Sequence, residues 1–146
     1  MYAEPDAALG LLSGEGGAYA VLDVRDDDRA EGGHIKGSIW IPSFELDSQM
    51  ESLVDQLIAT ADAEGACEDA PLVVLVHCMF SQVRGPAAAR KLIAHPRLAA
   101  QPSVTIRILR GGFLFLFTKY GSSHPHLFGH DDEDDDSDAS ASADDE

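Results

Sequence analysis

The sequence contains few basic residues relative to acidic ones. Lys and Arg number 10 against 26 Asp and Glu, so the formal net charge at pH 7 is −16. The sequence contains no basic stripe that would neutralise phosphates, which argues against nucleic acid as the main partner. The acidic excess is local, because residues 131–146 hold ten carboxylates and no Lys or Arg. Residues 1–130 are therefore only mildly acidic.

Long apolar runs are also missing. No segment approaches the roughly 18–20 apolar residues of a membrane span, and the start, MYAEPDAALG, lacks the basic and apolar regions of a signal peptide. We therefore expect a soluble protein of the cytoplasm that engages no membrane, with the nucleus open as a second compartment. A like-charge run of low hydrophobicity cannot bury a core. The sequence thus predicts one catalytic domain over residues 1–130 and a disordered acidic tail over residues 131–146.

Cysteine is scarce, with only Cys67 and Cys78 present. Charged and turn residues separate them, so they make neither a disulfide framework nor a pair of zinc ligands. In a reducing compartment a thiol is instead available for chemistry. Cys67 is interpreted as an incidental thiol, and the alternative is a resolving cysteine that traps oxidised Cys78 as a disulfide. No metal site is predicted, because the nearby histidines lack a fixed scaffold; these are His124, His126 and His130.

Apolar patterning predicts alternating strands and helices. The predicted strands are residues 18–25, 38–42, 71–78 and 104–109, and the predicted helices are 5–13, 48–62 and 84–95. The second helix is expected to have Asp47 or Ser48 as its N-cap, and FLFLFTKYG (113–121) is either an aromatic helix or a last buried segment. The continuous run PLVVLVHC (71–78) is typical of a central parallel strand covered on both faces. The alternation is typical of an α/β domain with a largely parallel sheet.

The apolar run ends in HCMFSQVRGP, residues 77–86. Ligands of open parallel sheets bind outside the carboxyl ends of the strands, so Cys78 lies where chemistry is expected. Five residues separate Cys78 from Arg84, and successive backbone N–H groups in such a turn form a nest for a tetrahedral oxyanion. The predicted oxyanion-binding loop consists of Met79, Phe80, Ser81, Gln82, Val83, Arg84 and Gly85.

The residue types in this loop suit nucleophilic catalysis. An electropositive nest favours the thiolate of Cys78, which is the nucleophile. Arg84 can grip two oxygens of a phosphate-like group, which a lysine cannot reproduce, and Ser81 can hydrogen-bond the thiolate. His77 is predicted to order the loop, and Asp23 is interpreted as a strand-end ion-pair residue and a faint general-acid candidate. The plainer alternative, a buried apolar Cys78 and a surface Arg84, does not account for the whole pattern.

The motif HCMFSQVRGP resembles the His-Cys-x5-Arg signature of the M-phase inducer tyrosine phosphatases and the eukaryotic rhodanese-fold arsenate reductases. LDVRDDDRAEGGHIKGSIWIP (22–42) resembles the first half of the rhodanese homology domain, and LRGGF (109–113) resembles its closing Gly-Gly element. The resemblance covers residues 18–120. It implies an α/β rhodanese-like domain with a central parallel sheet flanked by helices.

Details of the loop distinguish the branches of that superfamily. Sulfurtransferases typically have four residues between the cysteine and the basic residue. Because five residues separate them in this chain, a sulfurtransferase is less favoured. The phosphatase branch carries HCEFSSERGP, with carboxylates where this chain has Met79 and Val83. SQVRGP and DVRDDDR, with Val24, look closer to plant members described both as arsenate reductases and as small tyrosine phosphatases. Their cysteine-rich zinc-binding end has no counterpart in GSSHPHLFGH (121–130), so zinc is not carried over.

These observations predict a thiol-dependent arsenate reductase that binds no cofactor and uses glutathione and glutaredoxin as reductant. The alternative is a small M-phase inducer-like tyrosine or dual-specificity phosphatase, whose acid comes from Asp26, Asp27, Asp28 or the substrate. A sulfurtransferase and a non-catalytic phospho-binding module are less favoured. The expected partners are arsenate or a phosphorylated protein, and glutaredoxin. The chain is expected to be a monomer.

Overall fold

The computed structural model describes residues 2–26, 33–80 and 82–129. Several sequence predictions lie outside these residues: the acidic tail, the role of Ser81, and the acid candidates Asp27 and Asp28. Within the described ranges, no helix is both long enough and apolar enough to cross a membrane.

Strands and helices alternate along the chain, as the apolar patterning predicts. The strands are β1 (Tyr2–Ala3), β2 (Tyr19–Asp23), β3 (His34–Ile35), β4 (Ile39–Trp40), β5 (Leu72–His77), β6 (Val104–Leu109) and β7 (Phe128–Gly129). The helices are α1 (Pro5–Leu12), α2 (Leu46–Ala63), α3 (Arg84–Ala94), α4 (Pro96–Ala99) and α5 (Gly112–Tyr120), with 3-10 turns at Ser43–Glu45 and Pro125–Leu127.

A parallel sheet forms the centre of the described structure. Its strand order is β1-β6-β5-β2-β4, and each neighbouring pair is parallel. β5 lies in the middle, where Val76 pairs with Leu22 on one side and with Ile108 on the other. β3 and β7 form a separate antiparallel pair. The predicted α/β architecture with a central parallel sheet is therefore confirmed.

The two faces of β5 enter two different apolar clusters, because successive side chains of a strand point to opposite faces. Leu72, Val74 and Val76 pack in the cluster that includes residues of α2 and α3, whereas Leu75 packs in the cluster that includes residues of α1 and α5. All four side chains are fully buried. Helices thus cover both faces of the sheet, which confirms β5 as a central strand.

Several boundaries differ from the sequence prediction. α2 begins at Leu46 rather than at 48, because the 3-10 turn Ser43–Glu45 runs directly into it, and its N-cap, Glu45, makes no side-chain capping bond. The capping prediction for Asp47 or Ser48 was therefore wrong. FLFLFTKYG is helical, with its helix starting one residue earlier at Gly112.

Candidate active site

The cysteine thiol lies at the carboxyl end of β5, directly before α3. Cys78 is only 3% exposed, and the backbone N–H of Gly85, in the first turn of α3, donates to its Sγ atom at 3.3 Å. The sulfur thus faces the partial positive charge of the first turn of α3.

A cavity of about 150 Å³ opens above this thiol. Its lining residues are Cys78, Phe80, Gln82, Val83 and Arg84. The structure thus brings the predicted nucleophile and the predicted oxyanion-binding arginine into one small pocket. Phe80 and Val83 are exposed at its mouth, and neither residue carries charge.

The guanidinium of Arg84 contacts a carboxylate from the segment that follows β2. Arg84 Nη1 lies 3.3 Å from Asp26 Oδ2. Asp26 accepts hydrogen bonds from the backbone N–H of Ser43 at 2.8 Å and from its hydroxyl at 2.9 and 3.0 Å. These four donor contacts fix the position of the carboxylate. Asp26 is therefore placed to orient Arg84, a contact that spacing alone did not predict.

The loop that follows the thiol is held from behind by α5. The backbone N–H groups of Phe113 and Leu114 donate to the carbonyl oxygens of Cys78 and Met79, each at 3.0 Å. Gly112, with φ of 70°, packs so closely that a Cβ atom there would overlap the Met79 carbonyl and lie 2.6 Å from the Phe80 carbonyl carbon. Glycine is thus required by both backbone conformation and space. The motif LRGGF signals this support, although its contact with the loop is visible only in the structure.

A buried ion pair lies beneath the site. Asp23 and Arg25 are fully buried and joined by contacts of 2.7 to 3.2 Å, and Arg25 also donates to the carbonyl of Gly33 at 2.8 Å. The guanidinium of Arg25 lies 4.2 Å from the centre of the Phe113 ring, which stacks on His77 with centroids 6.1 Å apart. This network ties the ends of β2 and β5 to the helix that supports the loop.

The charge state of Asp23 follows from this network. Burial acts to raise the pKa of Asp23, but hydrogen bonds from Arg25 and the charges of His77 and Arg25 outweigh it and hold the pKa below its usual value. An ionised, fully buried carboxylate is typical of a structural ion pair rather than of a proton donor. His77 Nδ1 lies 3.1 Å from the Cys78 carbonyl oxygen, a contact consistent with the predicted ordering role.

Comparison with known proteins gives the family. The family model for the rhodanese-like domain matches residues 5–114. This chain belongs to the rhodanese-like family. The rhodanese-like fold implied by LDVRDDDRAEGGHIKGSIWIP and LRGGF is therefore confirmed.

Relatives of this rhodanese-like domain carry both activities weighed from the sequence. The dual specificity phosphatase ibp1 of Schizosaccharomyces pombe is 32% identical over 82% of this chain and 90% of its own length. The crystal structure of Saccharomyces cerevisiae Ygr203w, a homologue of single-domain rhodanese and of the Cdc25 phosphatase catalytic domain, is 29% identical with a TM-score of 0.73, covering 84% of this chain and 83% of that one. The As-Sb reductase of Leishmania major is 28% identical with a TM-score of 0.66, covering 87% and 83%. The chain is thus similar to enzymes of two kinds.

The second cysteine of the rhodanese-like domain lies far from the first. Cys67 is exposed in a turn closed by its hydrogen bonds with Ala70, at the amino end of β5, whereas Cys78 follows the carboxyl end. β5 spans about 17 Å, and a disulfide requires Cα atoms within about 7 Å. The alternative in which Cys67 resolves oxidised Cys78 is therefore wrong.

Within the described ranges, no group of three or more His, Cys, Asp or Glu side chains is placed to hold a metal ion. The rings of His124 and His126 lie 6.1 Å apart, and His130 is outside the described residues.

Proposed function

We propose that this rhodanese-like domain is a cysteine-dependent phosphatase that hydrolyses phosphate monoesters. The observation that carries the proposal is the separation of the two cysteines. A phosphatase cycle closes with water and needs one thiol, whereas a reductase cycle needs a second thiol, either from the chain itself or from an external reductant, after Cys78 is oxidised. Cys67 precedes the amino end of β5, whereas Cys78 follows its carboxyl end. The hydrolytic cycle is therefore the one that the chain's own residues can complete.

The proposed reaction has two steps. In the first, the Cys78 thiolate forms a bond to phosphorus while the bond from phosphorus to the leaving oxygen breaks, and a proton from the phosphate monoanion goes to that oxygen. Arg84 binds two non-bridging oxygens as a fork, and the N–H groups of the loop donate hydrogen bonds that stabilise the remaining negative charge. In the second step, water attacks phosphorus, the sulfur–phosphorus bond breaks, and inorganic phosphate leaves with the thiolate restored.

Arsenate reduction is the second candidate, and the uncharged Met79 and Val83 favour it. Arsenate has nearly the same shape as phosphate, and its reduction expels water rather than an alcohol, so no loop acid is needed. The thiolate of Cys78 would bond to arsenic(V). An external thiol such as glutathione would then attack the sulfur, which releases arsenic(III) and leaves a mixed disulfide on Cys78 for glutaredoxin to reduce.

One assay separates the two candidates. The purified chain is given p-nitrophenyl phosphate in one arm, and arsenate with glutathione and glutaredoxin in the other, with Cys78→Ser as the blank in both. We expect phosphate release with the higher kcat/KM and a slower reduction of arsenate. Robust arsenate reduction without phosphate release would reverse the order.

A further inference from the structure

Exposed apolar side chains concentrate beside the catalytic pocket. Within the described residues, the large hydrophobic side chains at the surface are Tyr2, Trp40, Phe44, Phe80, Val83, Ile93, Leu114 and Phe115. Five of these eight line three cavities that share Phe80 and Gln82 as walls. Contiguous apolar surface of this kind marks a binding site more often than isolated exposed residues do.

One of the three cavities is an apolar groove of about 270 Å³. Its walls are Phe80, Gln82, Gly111, Leu114, Phe115 and Thr118. The groove adjoins the catalytic pocket, because Phe80 and Gln82 line both. Leu114, Phe115 and Thr118 of α5 form one wall, and the backbone of this helix is hydrogen-bonded to Cys78 and to the loop after it. A ligand in the groove is therefore held at a fixed position relative to Cys78.

The two cavities differ in the chemistry that they accept. The catalytic pocket of about 150 Å³ contains Cys78 and Arg84, which suit a tetrahedral anion. The groove offers mainly aromatic and aliphatic surface, which gains free energy only by covering apolar surface of a ligand. A free oxyanion has no such surface, but a polypeptide that presents a phosphorylated residue does.

We propose that the apolar groove binds an apolar side chain that neighbours the phosphorylated residue of a protein substrate. This inference rests on the proposed phosphatase activity and names its substrate class. Because the groove adjoins the pocket, the apolar residue must lie next to the phosphorylated one, not at a distant docking motif. Burial of one large apolar side chain is enough to separate substrates by about an order of magnitude in kcat/KM.

The test compares two phosphotyrosine peptides that are identical except for leucine or serine at the positions flanking the phosphotyrosine. We expect wild-type kcat/KM to be about tenfold higher for the leucine peptide. Phe115→Gln should reduce that ratio to about twofold, because Phe115 is half exposed in the groove wall. Phe44→Gln is the matched control, since Phe44 is 75% exposed and outside the groove, and it should keep the wild-type ratio.

The outcomes distinguish this inference from the phosphatase proposal. Release of phosphate from p-nitrophenyl phosphate, with equal kcat/KM for both peptides, would overturn the groove's role and leave the phosphatase intact. Failure to hydrolyse any phosphate ester would overturn the phosphatase itself. A Phe115→Gln effect confined to glutaredoxin-coupled arsenate reduction would assign the groove to a thiol-transfer partner and also overturn the inference.

Discussion

Arg84 is held by Asp26, whose carboxylate lies 3.3 Å from the guanidinium. The carboxylate is itself fixed by three hydrogen-bond contacts from Ser43. The arginine that we propose as the oxyanion ligand is thus oriented before any substrate arrives, by residues from the loop after β2 and from the turn before α2. Preorganised donors stabilise a transition state without a reorganisation cost during the reaction.

Replacing Asp26 tests this orientation. Asp26→Asn keeps the size of the side chain but removes its charge, so we expect kcat/KM to fall about tenfold and phosphate to inhibit less well. Ser43→Ala should change both quantities in the same direction by a smaller factor. Steady-state kinetics with p-nitrophenyl phosphate and phosphate inhibition measure them. Unchanged inhibition by phosphate in both variants would contradict the orienting role.

Cys78→Ser should abolish turnover while keeping the pocket. A serine hydroxyl is almost unionised at neutral pH, so we expect a loss of at least about a thousandfold. Phosphate should still raise the unfolding temperature, because Arg84 and the loop N–H groups remain. Phosphate release and thermal unfolding with and without phosphate provide the measurement. Full activity in this variant would remove Cys78 from the role of nucleophile.

Arg84→Lys should keep the positive charge but lose the bidentate grip. We expect kcat/KM to fall about a hundredfold, since one lost transition-state donor costs roughly that factor. Arg90→Lys is the matched control, because Arg90 is exposed on the same helix and does not line the pocket. Equal effects of the two substitutions on p-nitrophenyl phosphate hydrolysis would show that charge alone matters.

Gly112→Ala should damage both the loop and the fold. The residue has φ of 70°, and an added Cβ would overlap the Met79 carbonyl, so we expect at least about 1 kcal/mol of destabilisation and a clear loss of kcat. Gly10→Ala is the contrasting control, because Gly10 lies in α1 with nothing within 4 Å of its Cβ position. It should stabilise the chain by about 0.5–1 kcal/mol. Urea unfolding and p-nitrophenyl phosphate kinetics of both variants report the two effects, and wild-type behaviour of Gly112→Ala would contradict the close packing.

The Asp23–Arg25 pair should make the unfolding free energy fall at acid pH. The pKa of Asp23 in the folded chain is held below its usual value, so the carboxylate stabilises the fold above about pH 4, the ordinary range of an unfolded Asp, and loses that contribution as the pH falls further. Urea unfolding of the wild type and of Asp23→Asn/Arg25→Gln between pH 7 and pH 2.5 measures it. The unfolding free energy of the wild type minus that of the double variant should be constant above about pH 5. Below pH 4 this difference should decrease, because the wild type loses the contribution of the ionised Asp23. A difference independent of pH down to 2.5 would contradict the lowered pKa.

Much of the site could be predicted from one stretch of sequence. The apolar run before His77 predicts the central strand, and the end of a parallel strand is where a nucleophile is useful, so Cys78 and Arg84 follow from local patterning. Ser43 and Gly112 could not be found in this way. Ser43 contacts Asp26 from 17 positions away, and Gly112 contacts Met79 from 33 positions away, so their roles depend on how the sheet and helices pack. The apolar groove is likewise formed by two distant segments, the cysteine loop and α5.

Contacts between residues that are far apart in the sequence also bear on the wrongly predicted start of α2. The N-cap signals at Asp47 and Ser48 place the start of α2 too late, because the 3-10 turn Ser43–Glu45 leads directly into the helix at Leu46. That turn is in part held by the bonds from Ser43 to Asp26, which belong to the site rather than to local helix propensity.

The position of β1 bears on how the chain is made. Tyr2 and Ala3 pair with Ile108 and Leu109 at the edge of the sheet, and Glu4 contacts Arg110 at 2.6 Å. On the ribosome, these first residues leave the exit tunnel long before their partners are synthesised. β1 can therefore join the sheet only after translation has passed residue 109, and until then the outer edge of β6 has no strand to cover it. A segment that is translated more than a hundred residues before its partners is thus among the last to reach its native place.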